Sequence, residues 1–198
     1  MPIFEYGEKE LEYLCRKDKK LGEAIKRIGM LERKITPDPF RACISSIVSQ
    51  QISNKAAETV WNRLNMLLGE TSAQRISQVD VSDIRACGMS ERKTKYIKGI
   101  AEADLTGEVD FSKLHTLTDE EIIKKLSSLH GVGVWTAEML LIFSLCRPDV
   151  VSYRDLAICR GMMNLYGLKE LPKEKFERYR KRYSPYGTVA SLYLWALS

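Results

Sequence analysis

The chain has 198 residues, with 31 lysines and arginines against 26 acidic residues and a formal net charge of +5. That length supports one sizeable core, divided at most into lobes, and the excess of basic residues suits a polyanionic partner without requiring one. No apolar run approaches the roughly 20 residues that a bilayer-spanning helix needs, so no membrane partner is expected, and the 44% hydrophobic content is ordinary for a globular chain. The N-terminal run Met-Pro-Ile-Phe-Glu-Tyr-Gly-Glu lacks a signal-peptide pattern, and the five cysteines form no C-x-x-C pair. Both point to a reducing compartment: the cytoplasm near the nucleoid, or a nucleus, rather than secretion.

Taken in chain order, helical periodicity runs over about residues 8–28, and Pro37 and Pro39 punctuate its end. It resumes over 40–48 and 54–68. Residues 71–78 open on capping-box spacing, Thr71 with Gln74, and short helical pieces follow at 81–86 and 91–103. The run 108–111 is too short to carry a sheet. Residues 118–128 predict a helix whose start is marked by Thr118 and Glu121 at capping-box spacing, with Ile122, Ile123, Leu126 and Leu129 toward one side. A helix over 134–146 carries Ala137, Leu140, Leu141 and Ser144 on or near one stripe, and helices over 155–165, 173–182 and 188–197 complete the chain. The periodic runs predict an all-α fold. Trp61 and Trp195 sit in apolar helical stretches and read as core.

Between two of these helices lies Leu129-His130-Gly131-Val132-Gly133. Glycine tolerates positive φ and leaves no side chain in the way, so backbone amides of the turn and of the next helix start can face one anion, such as a DNA phosphate. The plainer alternative is a helix C-cap and tight turn. Asp155 further on is open to two readings that can coexist: a carboxylate able to stabilise positive charge on a sugar, and an N-cap for the helix that begins at Leu156. The basic clusters Arg92-Lys93-Thr94-Lys95 and 173–182 are open to phosphate binding or to plain solvation. His115 and His130 have no matching Cys or acidic cluster, so no transition-metal site is expected.

The stretch from Leu129 through Glu138, then Asp149-Val150-Val151 and Asp155-Leu156-Ala157-Ile158, resembles the helix-hairpin-helix DNA glycosylases, in particular their alkylbase (3-methyladenine) branch. Three more segments resemble that branch: Ile47-Val48-Ser49-Gln50-Gln51-Ile52-Ser53, its strand-separating loop; Cys87-Gly88-Met89-Ser90 with Arg92–Ile97; and Tyr183–Ala190. The likeness spans roughly residues 36–197. Departures are His130, Ser152, Arg154, Cys159 and Gly187, where the family often has proline, proline, an acid, a base and a base.

The resemblance implies two helical lobes with an active cleft between them: a continuous one over 37–130, and a second joining 1–36 to 131–198 and carrying the aspartate. It implies a monofunctional enzyme that flips out an alkylated base and hydrolyses its N-glycosidic bond, since Trp135 stands where backbone-cutting members have lysine. Asp155 would be catalytic, and Trp135, Met139 and Tyr153 would line the base pocket. Gln50, Gln51, Gly131, Gly133, Val134 and Thr136 would contact DNA, with Gln51 where the branch places its wedge. The carbonyls of Ser127, Leu129 and Val132 would hold a monovalent cation, sodium or potassium. Only Cys159 follows Asp155, so no iron–sulfur cluster is expected. The partner would be double-stranded DNA with a damaged base, bound by a monomer. A non-catalytic helix-hairpin-helix DNA-binding module, or a glycosylase for 8-oxoguanine, hypoxanthine or uracil, are the rival readings.

Overall fold

The computed structural model describes residues 2–198. Among these residues the elements are twelve α-helices and one 3-10 turn over Phe111–Thr116, with no β-strand; an isolated antiparallel bridge joins Ile3 and Lys34. The all-α expectation therefore holds. The chain divides into two compact units, Thr36–Leu140 and a discontinuous one made of the residues up to Ile35 with Leu141–Ser198. The first boundary falls between Ile35 and Thr36. The second falls at Leu140 rather than at residue 130, because the glycine turn is anchored to residues of the continuous unit, as described below.

The discontinuous unit begins with α1 (Glu8–Lys17) and α2 (Lys19–Ile28). The single helix expected over 8–28 is thus two, broken at Asp18, whose backbone is extended at φ −141°. Asp18 is buried; its Oδ1 accepts from Leu21 N at 3.1 Å, capping α2, and its Oδ2 accepts from Tyr166 Oη at 2.6 Å and Arg182 Nη1 at 3.1 Å. Those partners lie far away in sequence, so periodicity alone could not reveal the break. The helices pack so closely that a Cβ on Gly22 would come within 2.9 Å of Cys15 Cα. Their apolar faces (Leu14, Leu21, Ile25) join a core built with α10 (Leu156–Tyr166), α11 (Lys173–Tyr183) and α12 (Gly187–Ala196), in which Ile158, Met162, Phe176 and residues 189–194 are buried.

The continuous unit contains α3 (Pro39–Ser49), α4 (Asn54–Leu68), α5 (Ala73–Gln78), α6 (Val81–Ala86), α7 (Glu91–Thr106), α8 (Asp119–Ser127) and the start of α9 (Val134–Phe143). Asp38 caps α3 by accepting from Arg41 N at 3.0 Å, with Pro39 at the first helical position, where its missing N–H removes no helix hydrogen bond. Helix α5 is capped by Ser72, which accepts from Arg75 N, and not by Thr71, whose hydroxyl donates to Asn65 Oδ1 at 2.8 Å. The capping box before α8 is present in both halves: Glu121 N donates to Thr118 Oγ1 at 3.3 Å and Thr118 N donates to Glu121 Oε2 at 2.8 Å. Thr118→Ala is expected to destabilise the protein by about 1 kcal/mol, read as a shift in the urea midpoint at constant m-value.

Candidate active site

The glycine turn follows directly from α8. Leu129 N donates to Leu126 O and Val132 N donates back to Leu129 O, both at 3.1 Å, which closes the turn. Gly131 sits at φ +89°, a backbone conformation that disfavours any side chain. A Cβ there would also collide with the ring of Tyr96, on α7. Gly133 differs: a Cβ on it would meet nothing within 4 Å. Helix α9 starts next, and Ala137 N donates to Gly133 O at 3.0 Å as its opening backbone bond. Amides at a helix start lack intrahelical acceptors and carry the positive end of the helix dipole. Val134 is half-buried and Thr136 buried there, while His130 is exposed.

The segment after α3 lies against this turn. Gln50 Nε2 donates to Gly131 O at 2.9 Å. Gln51 is exposed and holds φ +58°, unusual for a residue with a side chain. Lys93 Nζ donates to Val48 O at 2.7 Å and to Gln50 O at 2.6 Å, and its partial burial pulls the ammonium below the ordinary lysine pKa. Lys95 pairs with Glu91 at 2.8 Å and Arg92 is exposed, so the charges of the basic cluster at 92–95 are divided between solvent and the protein backbone.

Asp155 occupies the turn before α10 and is 7% exposed. Its Oδ1 accepts three hydrogen bonds: from Ala157 N and Ile158 N, each at 2.9 Å, and from Trp195 Nε1 at 3.2 Å. It is thus both an N-cap and a carboxylate fixed in direction. Trp195 is half-buried and packs against the core of its unit, and its indole stacks on Phe143 with centroids 5.4 Å apart. Its part at the site escaped sequence reasoning because only the packing of α12 brings it to Asp155. Cys159, one turn into α10, donates its thiol to Tyr153 O at 3.3 Å; burial and then the charge of Asp155 raise its pKa.

Helix α12 is stitched to the segment that leads into this turn. Thr188 Oγ1 accepts from Val150 N at 3.0 Å and donates to Arg147 O, and Ser191 Oγ donates to Val150 O at 2.8 Å. Asp149 Oδ1 accepts from Gly187 N at 3.0 Å, and Asp149 Oδ2 accepts from Ser184 Oγ at 2.5 Å. A Cβ at Gly187 would meet Asp149 Oδ1 and Val151 Cγ2 at 2.5 and 2.9 Å, so the glycine there is required by its neighbours.

The remaining expected residues are placed as follows. Trp135, on the first turn of α9, is 45% exposed, which rules out a role as core filler. Met139 is half-buried one turn later. Tyr153 is exposed on one side, while its ring packs edge-on against Phe176 at 5.1 Å and its hydroxyl donates to Leu171 O at 3.3 Å. Trp61 is half-buried, with the Arg41 guanidinium 5.4 Å from its ring centroid. Gln50, Gln51, Gly131 and Gly133 are thus gathered in the continuous unit, and Asp155 and Tyr153 in the other.

Two helices joined by a turn whose glycine must be glycine, with a second glycine open to the outside, define a helix-hairpin-helix protein. The chain belongs to the HhH-GPD superfamily of base excision DNA repair proteins, whose family model matches residues 44–185. Among curated proteins it is 36% identical to DNA-3-methyladenine glycosylase 1 of Schizosaccharomyces pombe over 81% of this chain and 73% of that one. Among solved structures it is similar to the DNA-3-methyladenine glycosidase of Bacillus halodurans, with TM-score 0.89 and 36% identity over 99% and 92% of the two chains. It is also similar to the S. pombe 3-methyladenine DNA glycosylase Mag1 in complex with abasic DNA, with TM-score 0.82 and 33% identity over 95% of each chain.

Proposed function

We propose that this chain is a monofunctional DNA glycosylase that removes alkylated bases such as 3-methyladenine from double-stranded DNA. The observation that carries the reading is the buried carboxylate of Asp155, with one oxygen fixed by three N–H donors. A base inside a duplex is out of reach and must be everted. The amides of Gly131, Gly133, Val134 and Thr136 hold a phosphate, and Gln51 fills the gap in the stack. The exposed indole of Trp135, with Met139 one turn on, receives the base; a π face attracts a cationic alkylated purine.

Breakage of the N-glycosidic bond sends its electron pair to the base, which leaves as a neutral molecule if it was cationic. The sugar is left as an oxocarbenium-like species, whose positive charge Asp155 stabilises. Water adds at C1′ and loses its proton, giving an abasic site. Trp135 has no amine, so no covalent imine forms with the sugar at that position. Carbonyl oxygens of Ser127, Leu129 and Val132 would hold a monovalent cation. One observation fits such a site: Ser127 Oγ is buried at the same turn with no hydrogen-bond partner. Bound there, the ion would offset repulsion among the carbonyls.

The test is a panel of duplexes, each with one modified base, assayed for alkali-labile abasic sites. Excision of 3-methyladenine, with no strand cleavage before alkali and no borohydride-trapped adduct, is the expected result; an inert panel would remove the proposal. In the same assay Trp195→Phe, which keeps the ring and deletes the N–H, is expected to slow single-turnover excision about tenfold, the loss of one hydrogen bond to a charged group. Duplex affinity should stay unchanged.

A further inference from the structure

We infer that Lys93 is a positioning residue that holds the DNA-inserting loop in shape and locks it to the hairpin. The inference rests on the insertion role proposed for Gln51. Helix α3 ends at Ser49, and the carbonyls at a helix end need partners outside the helix. One ammonium group supplies them: Lys93 Nζ lies 2.7 Å from Val48 O and 2.6 Å from Gln50 O. Drawing carbonyls two residues apart toward one point curls the backbone immediately before Gln51, which stands at φ +58°. That conformation is disfavoured for a residue with a Cβ and persists only where its surroundings enforce it.

The same helix grips the hairpin. Tyr96, one turn after Lys93 on α7, fills the space over Gly131, and Gln50 Nε2 closes the triangle through its 2.9 Å bond to Gly131 O. Lys93, Tyr96 and Gln50 thus tie the loop that carries Gln51 to the turn that carries the phosphate-facing amides. Gln50 directs an amide N–H at this tie and is half-buried, which leaves Gln51 as the exposed side chain of the pair. Lys93 does not have to touch DNA to act. Its half-buried ammonium is directed at protein carbonyls, while the neighbouring Arg92 faces outward.

The experiment uses the full chain and a duplex in which a tetrahydrofuran abasic analogue faces 2-aminopurine, so that the readout is independent of bond cleavage. At saturating protein, wild type is expected to change the 2-aminopurine fluorescence as Gln51 enters the stack, and Gln51→Ala should abolish the change. Lys93→Met should reduce the inserted fraction about tenfold, the scale of the penalty on a left-handed residue no longer enforced, with duplex affinity within about twofold and a thermal melt lowered by no more than a few degrees. Lys93→Arg, which keeps donors in reach of both carbonyls, should restore most of the signal. Should the methionine variant melt early, Lys93→Gln is read in its place. A Lys93→Met signal equal to wild type overturns the inference, as does a loss of signal and affinity in equal proportion, which would mark general destabilisation. A Gln51→Ala signal equal to wild type overturns the insertion role itself, and does so in a separate arm of the experiment.

Discussion

Asp155→Asn is expected to slow single-turnover excision about a thousandfold, the scale of removing a preorganised electrostatic group from a transition state. Asparagine keeps the shape of the side chain and a carbonyl oxygen that can accept from Ala157 N, Ile158 N and the Trp195 indole, as Asp155 Oδ1 does now. It is also an equally favoured N-cap, so α10 should start where it does in the parent. What disappears is the negative charge opposite the developing oxocarbenium. Affinity for a damaged duplex should stay level or tighten, because binding and chemistry are separated in this variant. Rates from alkali-labile ends, set beside affinities from anisotropy, decide the matter. Unchanged excision would pass the catalytic role to another group. Absence of excision in the parent as well would favour a helix-hairpin-helix module that only binds.

The largest stability effect is expected from Gly161→Ala. Gly161 lies within α10, where it faces Leu194 of α12, and a Cβ would be driven into the Leu194 carbonyl group. A backbone carbonyl cannot rotate away as a side chain can, so the two helices must separate. Overpacking of this kind costs about 3 kcal/mol, a fall in Tm of roughly 6–12 °C for a chain of this size. The variant also reaches the site, because α12 carries the Trp195 indole to Asp155. At temperatures where Gly161→Ala is still folded, its excision rate should fall toward that of Trp195→Phe. A melt within about 1 °C of the parent would mean that the helices yield more easily than their contact implies.

Much of this molecule was legible in the order of its residues. The hairpin could be read because glycine is the cheap solution for φ +89°, and the Thr118–Glu121 box because capping is local. Asp155 could be read as an N-cap for the same reason. What stayed hidden depends on contacts between distant segments. The break at Asp18 is held open by Tyr166 and Arg182, and Thr71 lost its capping role to Ser72 because Asn65 takes its hydroxyl. Trp195 looked like core because its apolar neighbours are buried, yet its N–H serves Asp155. Lys93 looked like surface charge because nothing local shows that two carbonyls at the end of α3, those of Val48 and Gln50, wait for it. The residue 130 boundary missed the interlock of Gly131 with Tyr96 and Gln50, which assigns the turn to the continuous unit.

The discontinuous unit has a consequence for biosynthesis. Leu14, Leu21 and Ile25 emerge early from the ribosome, but the helices that bury them, α10 to α12, follow only after the whole Thr36–Leu140 segment has been made. At bacterial or eukaryotic elongation speeds that interval lasts roughly 5–20 s, long compared with helix formation. A nascent chain therefore carries an amphipathic helix pair with an uncovered greasy side, and holdase chaperones should engage it during that window. Compaction of the intervening segment shortens the span to be closed, so translation order itself favours docking of the late helices onto the early ones.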